Sequence, residues 1–236
     1  MPKVKKKSIC FIPARGGSKG VKCKNIKKLD GIPLVVRAIT LAKNSKIFNK
    51  IIVSTDDKKI ARIAKNAGAD VFIRSKKLAS DVSSTNEVLL DAIPKLLSID
   101  SSYNYLVNLD CTVPFVMKKD LIELINLLEK KNCDTACLVY EQHHNPYFNI
   151  FEPDSKGFLK LSKGKLGKIS SRQKAPKVYQ LVGVFAIDIR KYLNLKKIYM
   201  PKTLPVKISP ERGLMIDTKF EFQIAESIIE KKIKLK

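Results

Sequence analysis

Ser8-Ile9-Cys10-Phe11-Ile12-Pro13-Ala14-Arg15-Gly16-Gly17-Ser18-Lys19-Gly20, continuing through Lys22, Lys24 and Asn25, is the stretch from which the rest of the chain is read. Ser8 to Ile12 is short and apolar, as a buried strand should be. Pro13 ends it by removing a donor and fixing φ. Gly16, Gly17 and Gly20 follow at once, and glycines let the backbone take φ > 0 and approach a ligand closely. Around them stand Arg15, Lys19, Lys22 and Lys24, with Ser18 and Asn25 as neutral hydrogen-bonding groups. A strand that opens into a basic, glycine-rich loop suits a triphosphate, because N–H groups can turn inward as a nest while the cations neutralise charge. The spacing is not that of a Walker loop, whose Lys-Ser/Thr follows the last glycine directly. Nor is it the G-x-G-x-x-G dinucleotide pattern. On the glycines alone, a solvated turn in a Lys-rich chain is equally open.

Outward from the loop the pattern alternates. Gly31 and Pro33 set a turn, and Leu34, Val35, Ala38, Ile39, Leu41 and Ala42 recur at helical spacing. Lys50–Thr55 reads as a buried strand, and Asp57 can cap a helix from Lys58 to Asn66 that stops at Gly68. Asp70–Arg74 is the next strand. A helix runs from Asn86 toward Leu97, with Pro94 as a kink or its last turn. Tyr103–Leu109 predicts a strand closing on Asp110, then a helix over Lys118–Lys131 and a strand over Thr135–Tyr140. Such alternation predicts a mostly parallel sheet flanked by helices, an α/β fold. Ligands of such sheets sit beyond the carboxyl ends of the strands, where Arg15, Asp56 and Arg74 fall. From Glu141 to Tyr179 the alternation stops, which predicts a β-rich excursion. Tyr179–Ile187 returns as strand, Asp188–Asn194 as a short helix and Leu204–Ile208 as strand. A last helix, capped by Asp217, runs to Ile233.

Composition narrows the class. The 236 residues suffice for one domain, 1–236, with the excursion 141–179 inside it. No run approaches ~18 consecutive apolar residues, so no membrane span is expected. The basic start followed by a short apolar stretch imitates a signal peptide, but Pro13 and Arg15 interrupt it and no cleavage site follows. Five cysteines, odd in number and irregularly spaced, read as reduced, mostly buried thiols of a cytoplasmic protein. The net charge of +24 raises nucleic-acid binding. The lysines are scattered, outnumber the arginines and are not interleaved with aromatics, so no nucleic-acid partner is expected. A positive field still gathers anionic small molecules. His143 and His144, adjacent on a strand, would face opposite sides and could not serve one site together.

Pro13-Ala14-Arg15-Gly16-Gly17-Ser18-Lys19-Gly20, Lys24-Asn25 and Gly31-Ile32-Pro33-Leu34 closely resemble the opening of the CMP-sugar synthetases, the acylneuraminate cytidylyltransferase family. The likeness runs nearly end to end, through Ser54-Thr55-Asp56, Arg74, Leu78-Ala79-Ser80-Asp81, Ser84-Thr85, His143-His144-Asn145-Pro146, Arg172-Gln173, Gly183 and Asp217-Thr218. It implies a nucleotidyltransferase, Rossmann-like fold and a Mg²⁺-dependent enzyme. That enzyme joins CTP to an acidic 2-keto sugar of the sialic or nonulosonic type and releases pyrophosphate. It also implies a homodimer in which the excursion reaches the partner's site. The resemblance places Arg15, Lys24 and Asp217 at the chemistry. Arg15, Gly16, Gly17, Ser18, Lys19, Lys24, Asn25, Arg74, Thr85, Asp110 and Arg172 fall at the substrates. Another acid, such as Kdo or a phosphonate, and a non-catalytic nucleotide-sugar-binding paralogue are the competing readings.

The departures from that pattern are concentrated on the sugar side. Met215-Ile216-Asp217-Thr218 stands where the family usually has two acids, so one metal ligand is missing. Asp110-Cys111-Thr112-Val113-Pro114 replaces a Gln-led motif, and Val182-Gly183-Val184-Phe185-Ala186 lacks the usual amide and phenol. A thioether is a poor Mg²⁺ ligand. The expectation is that the second carboxylate has moved to Asp110, which would share the metal with Asp217. The bland alternatives are a turn role for Asp110 and a helix cap for Asp217.

Overall fold

The computed structural model describes residues 6–18, 20–164, 171–233 and 235. In chain order these form β1 (Lys7–Pro13), the small pair β2 (Lys28–Leu29) and β3 (Ile32–Pro33), α1 (Leu34–Ser45), β4 (Lys50–Thr55), α2 (Lys58–Asn66), β5 (Asp70–Ile73), α3 (Thr85–Ile99), β6 (Tyr103–Asn108) and α4 (Lys118–Lys130). There follow β7 (Thr135–Glu141), β8 (Phe151–Pro153), β9 (Leu159–Leu161), β10 (Tyr179–Asp188), α5 (Ile189–Leu195), β11 (Thr203–Lys207) and α6 (Lys219–Glu230). The main sheet has the order β11-β7-β10-β6-β1-β4-β5. Every pairing in it is parallel except those of β10, which runs antiparallel to β6 and β7. Pro205 in β11 is tolerated because that strand lies at the edge, where a missing donor breaks no ladder.

The period of two in β1 explains the layers. Cys10 and Ile12 pack with Val35, Ile39, Ile60, Leu121 and Leu124, from α1, α2 and α4. Ile9 and Phe11 pack on the other side with Leu89, Ile93 and Tyr192, from α3 and α5. Each such fully buried side chain contributes about 1.5–3 kcal/mol relative to exposure. A third cluster joins Val21, Leu29 and Leu34 to Ile216 and to Phe222 and Ala225 of α6. That cluster matters for the site, because it pins the glycine-rich loop and the Asp217 segment to one another.

Local chemistry fixes the ends. Asp57 caps α2 by accepting from the N–H groups of Lys59 and Ile60. Asp30 and Gly31, at φ 51° and 72°, make the tight turn of the β2–β3 pair. Two expectations need correction. Pro94 does not stand in the last turn of α3, which continues to Ile99; Pro94 lies on the solvent side while Ile93 and Leu96 hold the helix to the core. The cap of α6 is Thr218, whose Oγ1 accepts from Phe220 N at 3.2 Å, and not Asp217.

The excursion contains the β8–β9 hairpin and a short 3₁₀ turn at Arg172–Lys174. Asn145 ties its two feet together, donating from Nδ2 to Pro176 O and accepting from Tyr147 N. His143 and His144 are exposed in the turn after β7, not on a strand, and the backbone N–H of each donates to Gln142 Oε1. Among the described residues no helix is long and apolar enough to cross a membrane.

Candidate active site

A cleft of about 370 Å³ opens beyond the carboxyl ends of the parallel strands, lined by Arg15, Ser18, Lys24, Asn25, Arg74, Thr85, Asp110 and Asp217. This is the place the topology reserves for a ligand. β1 delivers Arg15, β6 ends just before Asp110, and Arg74 follows β5.

The loop after β1 is organised differently from a simple phosphate nest. Gly16 N–H donates to Asp56 Oδ1 at 3.0 Å, and Ser18 N–H donates back to Gly16 O at 3.2 Å. Those two donors are therefore used within the protein, and neither Gly16 nor Gly17 lines the cleft. Neither takes a positive φ; that backbone state falls instead to Cys23, at φ 53°. What Gly16 and Gly20 provide is proximity. A Cβ on Gly16 would lie 2.9 Å from the Asp57 Cβ, and one on Gly20 would lie 2.1 Å from the Asp217 carbonyl oxygen. Gly20 thus seats the loop directly on the Asp217 backbone. Lys19 lies outside the described residues.

Asn25 is buried and braces the loop. Its Nδ2 donates to Arg15 O at 2.8 Å, and its Oδ1 accepts from the buried Cys111 thiol at 3.1 Å. Lys24 Nζ meets Asp217 Oδ1 at 2.9 Å; the lysine side chain is 15% exposed and the carboxylate 67%. Freed from capping α6, Asp217 presents its carboxylate to the cleft.

Asp110 takes the turn role. Its Oδ1 accepts from Thr112 N at 3.0 Å and from Thr112 Oγ1 at 2.9 Å, which is a turn-forming role. Ile216 N–H donates to Thr112 O at 2.9 Å, so the Asp110 turn and the Asp217 segment are joined. Desolvation raises the Asp110 pKa and Asp217 adds to the rise, while the Thr112 bonds and Lys24 oppose it. The second oxygen, Oδ2, faces Gly183, where a Cβ would lie at 3.4 Å. Gly183 has φ +72° and sits in a register shift of β10 between Leu181 and Phe185. Such a bulge beside a site re-aims the strand, and here it brings Gly183 up to the Asp110 side chain.

Arg74 is buried, with Nη2 donating to Ser54 O at 2.8 Å and the buried Nε without a hydrogen-bond partner among the described residues. Burial is the first cause lowering its pKa; Asp56 opposes and Arg15 assists. Thr85 begins α3 directly after the Ser84 cap and also lines the cleft. Arg172 begins the 3₁₀ turn of the excursion, and its side chain lies outside the described residues.

Asp56 and Asp81 were legible in the sequence, one at a strand end and one inside the segment Leu78-Ala79-Ser80-Asp81, but their contacts were not, and Cys111 went unmarked as a brace. Asp81 lines the cleft and pairs with Arg15, Cys111 supports Asn25, and Asp56 occupies the Gly16 donor. All three are through-space contacts between elements far apart in the chain.

A sequence profile described as cytidylyltransferase matches residues 9–197. The flagellin modification protein B of Campylobacter coli is 33% identical over 227 residues, covering 95% of each chain. The CMP-N,N'-diacetyllegionaminic acid synthase of Campylobacter jejuni is 32% identical over 227 residues, again covering 95% of each. Among solved structures, a CMP:2-keto-3-deoxy-manno-octonic acid synthetase complexed with CTP superposes with a TM-score of 0.70 at 15% identity, over 96% of this chain and 100% of that one.

Proposed function

Because the chain belongs to the cytidylyltransferase family, we propose that it couples CTP to a 2-keto sugar acid of the nonulosonic type, giving a CMP-sugar and pyrophosphate. The observation that carries this reading is the meeting, in one cleft, of cations and carboxylates: Arg15, Lys24 and Arg74 with Asp81, Asp110 and Asp217. The sugar's anomeric hydroxyl must attack the α-phosphorus in line with the leaving pyrophosphate, and such transfer is mainly positioning and charge neutralisation. Arg15 and Lys24 bind and neutralise the phosphates. Arg74, on the cleft wall, brings a guanidinium toward the carbonyl-rich edge of cytosine. Asn25 serves by fixing the Arg15 backbone rather than by reading the base itself. The test is pyrophosphate release with CTP and a panel of keto-sugar acids. Turnover excludes a non-catalytic binding role, and the preferred acid separates nonulosonic substrates from Kdo or phosphonates.

Mg²⁺ suits the donor set, since both candidate ligands are oxygen and Mg²⁺ is usually held by one or two carboxylates with phosphates. In this reading Asp217 and Asp110 hold it, and the place of both carboxylates on the cleft wall supports the assignment. When bound, the ion neutralises phosphate charge and steadies the leaving pyrophosphate. Asp110→Asn is nearly isosteric and keeps the Thr112 acceptor, so it is expected to raise the Mg²⁺ requirement with the fold intact. An unchanged Mg²⁺ curve and rate removes Asp110 from the metal site.

The excursion supports a homodimer. Ile150, Phe151, Phe158 and Leu159 around the hairpin, and Leu181 on β10, are exposed, with Phe158 and Leu159 each at 69%. Contiguous apolar surface of this kind marks an interaction face. Light scattering at micromolar concentration is expected to return twice the chain mass of 26.6 kDa. A fully active monomer contradicts the assembly and leaves the chemistry standing.

A further inference from the structure

Arg15, one of the cations assigned to the phosphates, already has a partner. Its Nη1 meets Asp81 Oδ1 at 2.8 Å across the cleft, with the two side chains 33% and 39% exposed. Asp81 lies in the connection between β5 and α3, and both ends of that connection are firmly held. Arg74 N–H donates to Thr55 O at 3.0 Å, and Ser84 N–H donates to Glu87 Oε2 at 2.7 Å within a capping box. Leu78 N and Ala79 N reach Ser75 O and Lys76 O at 3.1 Å, whereas the ties flanking Asp81 are longer: Ser80 N to Lys77 O is 3.4 Å and Ser83 N to Ser80 O is 3.3 Å. Val82, next to Asp81, is 92% exposed.

We infer that Asp81 is a positioning residue that competes with the nucleotide triphosphate for Arg15. It keeps the guanidinium aimed across the cleft, yields it when phosphate arrives, and turns outward with the centre of its loop. Three physical points carry this. An ion pair this exposed is weak and readily exchanged. Phosphate is a better partner for a guanidinium than a single carboxylate oxygen, because it accepts two parallel N–H bonds. A carboxylate that stayed within reach of the phosphates would repel them. Asp81 therefore raises the threshold for any polyphosphate that enters, and helps displace pyrophosphate once it has formed. The inference rests on the cytidylyltransferase reading, since it presupposes a triphosphate on Arg15.

The test is calorimetric binding of inorganic tripolyphosphate, CTP and cytidine to the wild-type chain, Asp81→Asn, Arg15→Ala and the double variant. Asp81→Asn is expected to bind tripolyphosphate and CTP about fivefold more tightly, the scale of a weak exposed pair, with cytidine unchanged. In the Arg15→Ala background the gain should vanish, because Asp81 acts through Arg15. Unchanged or weaker tripolyphosphate binding by Asp81→Asn overturns the inference, as does a gain that persists without Arg15. Weaker cytidine binding overturns it in favour of direct contact with the nucleoside. A wild-type chain that binds no CTP sinks the cytidylyltransferase reading and this inference with it. A wild-type chain that binds CTP just as Asp81→Asn does sinks the inference alone.

Discussion

Lys24→Ala is expected to lower turnover well over tenfold while leaving the unfolding temperature nearly unchanged. The lysine side chain is 15% exposed and fixed by its 2.9 Å contact with Asp217, so its charge is preorganised rather than solvated. A preorganised cation facing charge that develops in the transition state contributes ~3 kcal/mol. Its loss exposes no core, because Lys24 lies in a short 3₁₀ turn whose buried member is Asn25. The partner it leaves behind is 67% exposed and is rehydrated at little cost. Steady-state kinetics beside a thermal melt separate the two effects. Near wild-type turnover would remove Lys24 from the mechanism.

Asp217→Asn is the second large effect. Thr218 caps α6, so the substitution spares the helix, and Asp217 keeps its backbone carbonyl packed against Gly20. What disappears is one negative charge beside Lys24 and one oxygen ligand of the proposed metal site. A loss of about 100-fold in turnover is expected, equivalent to ~2.7 kcal/mol in the barrier, with a higher Mg²⁺ concentration needed for half-maximal rate. Wild-type rate and an unshifted Mg²⁺ curve in Asp217→Asn would leave the metal assignment without its main ligand. Asp110→Asn, tested alongside, should move the Mg²⁺ curve in the same direction; because Lys24 and Asp217 both act on Asp110, the two substitutions are not expected to be additive.

The sequence carried the sheet well, because burial imposes short apolar runs and the helices show their faces by period. Asp57 as a cap, the break at Gly68 and the end of regular alternation at Glu141 are all local signals. Pro94 misled because a helix can carry proline on its solvent side when the residues around it are firmly buried. Asp217 misled for a related reason. Asp and Thr are both good caps, and Glu221 decides for Thr218 by closing a capping box three residues on. The clustering of the cations and acids in one cleft was legible as a strand-end pattern. Which N–H groups remain available was not, since Asp56 reaches Gly16 only after β1 and β4 have paired.

The central claim is that this cleft transfers CMP from CTP to a sugar acid. It is tested most directly by incubating the purified chain with Mg²⁺, an equal mixture of CTP and UTP, and a nonulosonic acid, then quantifying products by mass spectrometry. The account predicts a CMP-sugar and pyrophosphate in equal amounts, with CTP consumed and UTP untouched. Consumption of UTP in place of CTP, or no nucleotide-linked sugar from any 2-keto acid in a chain that still binds CTP, would contradict it.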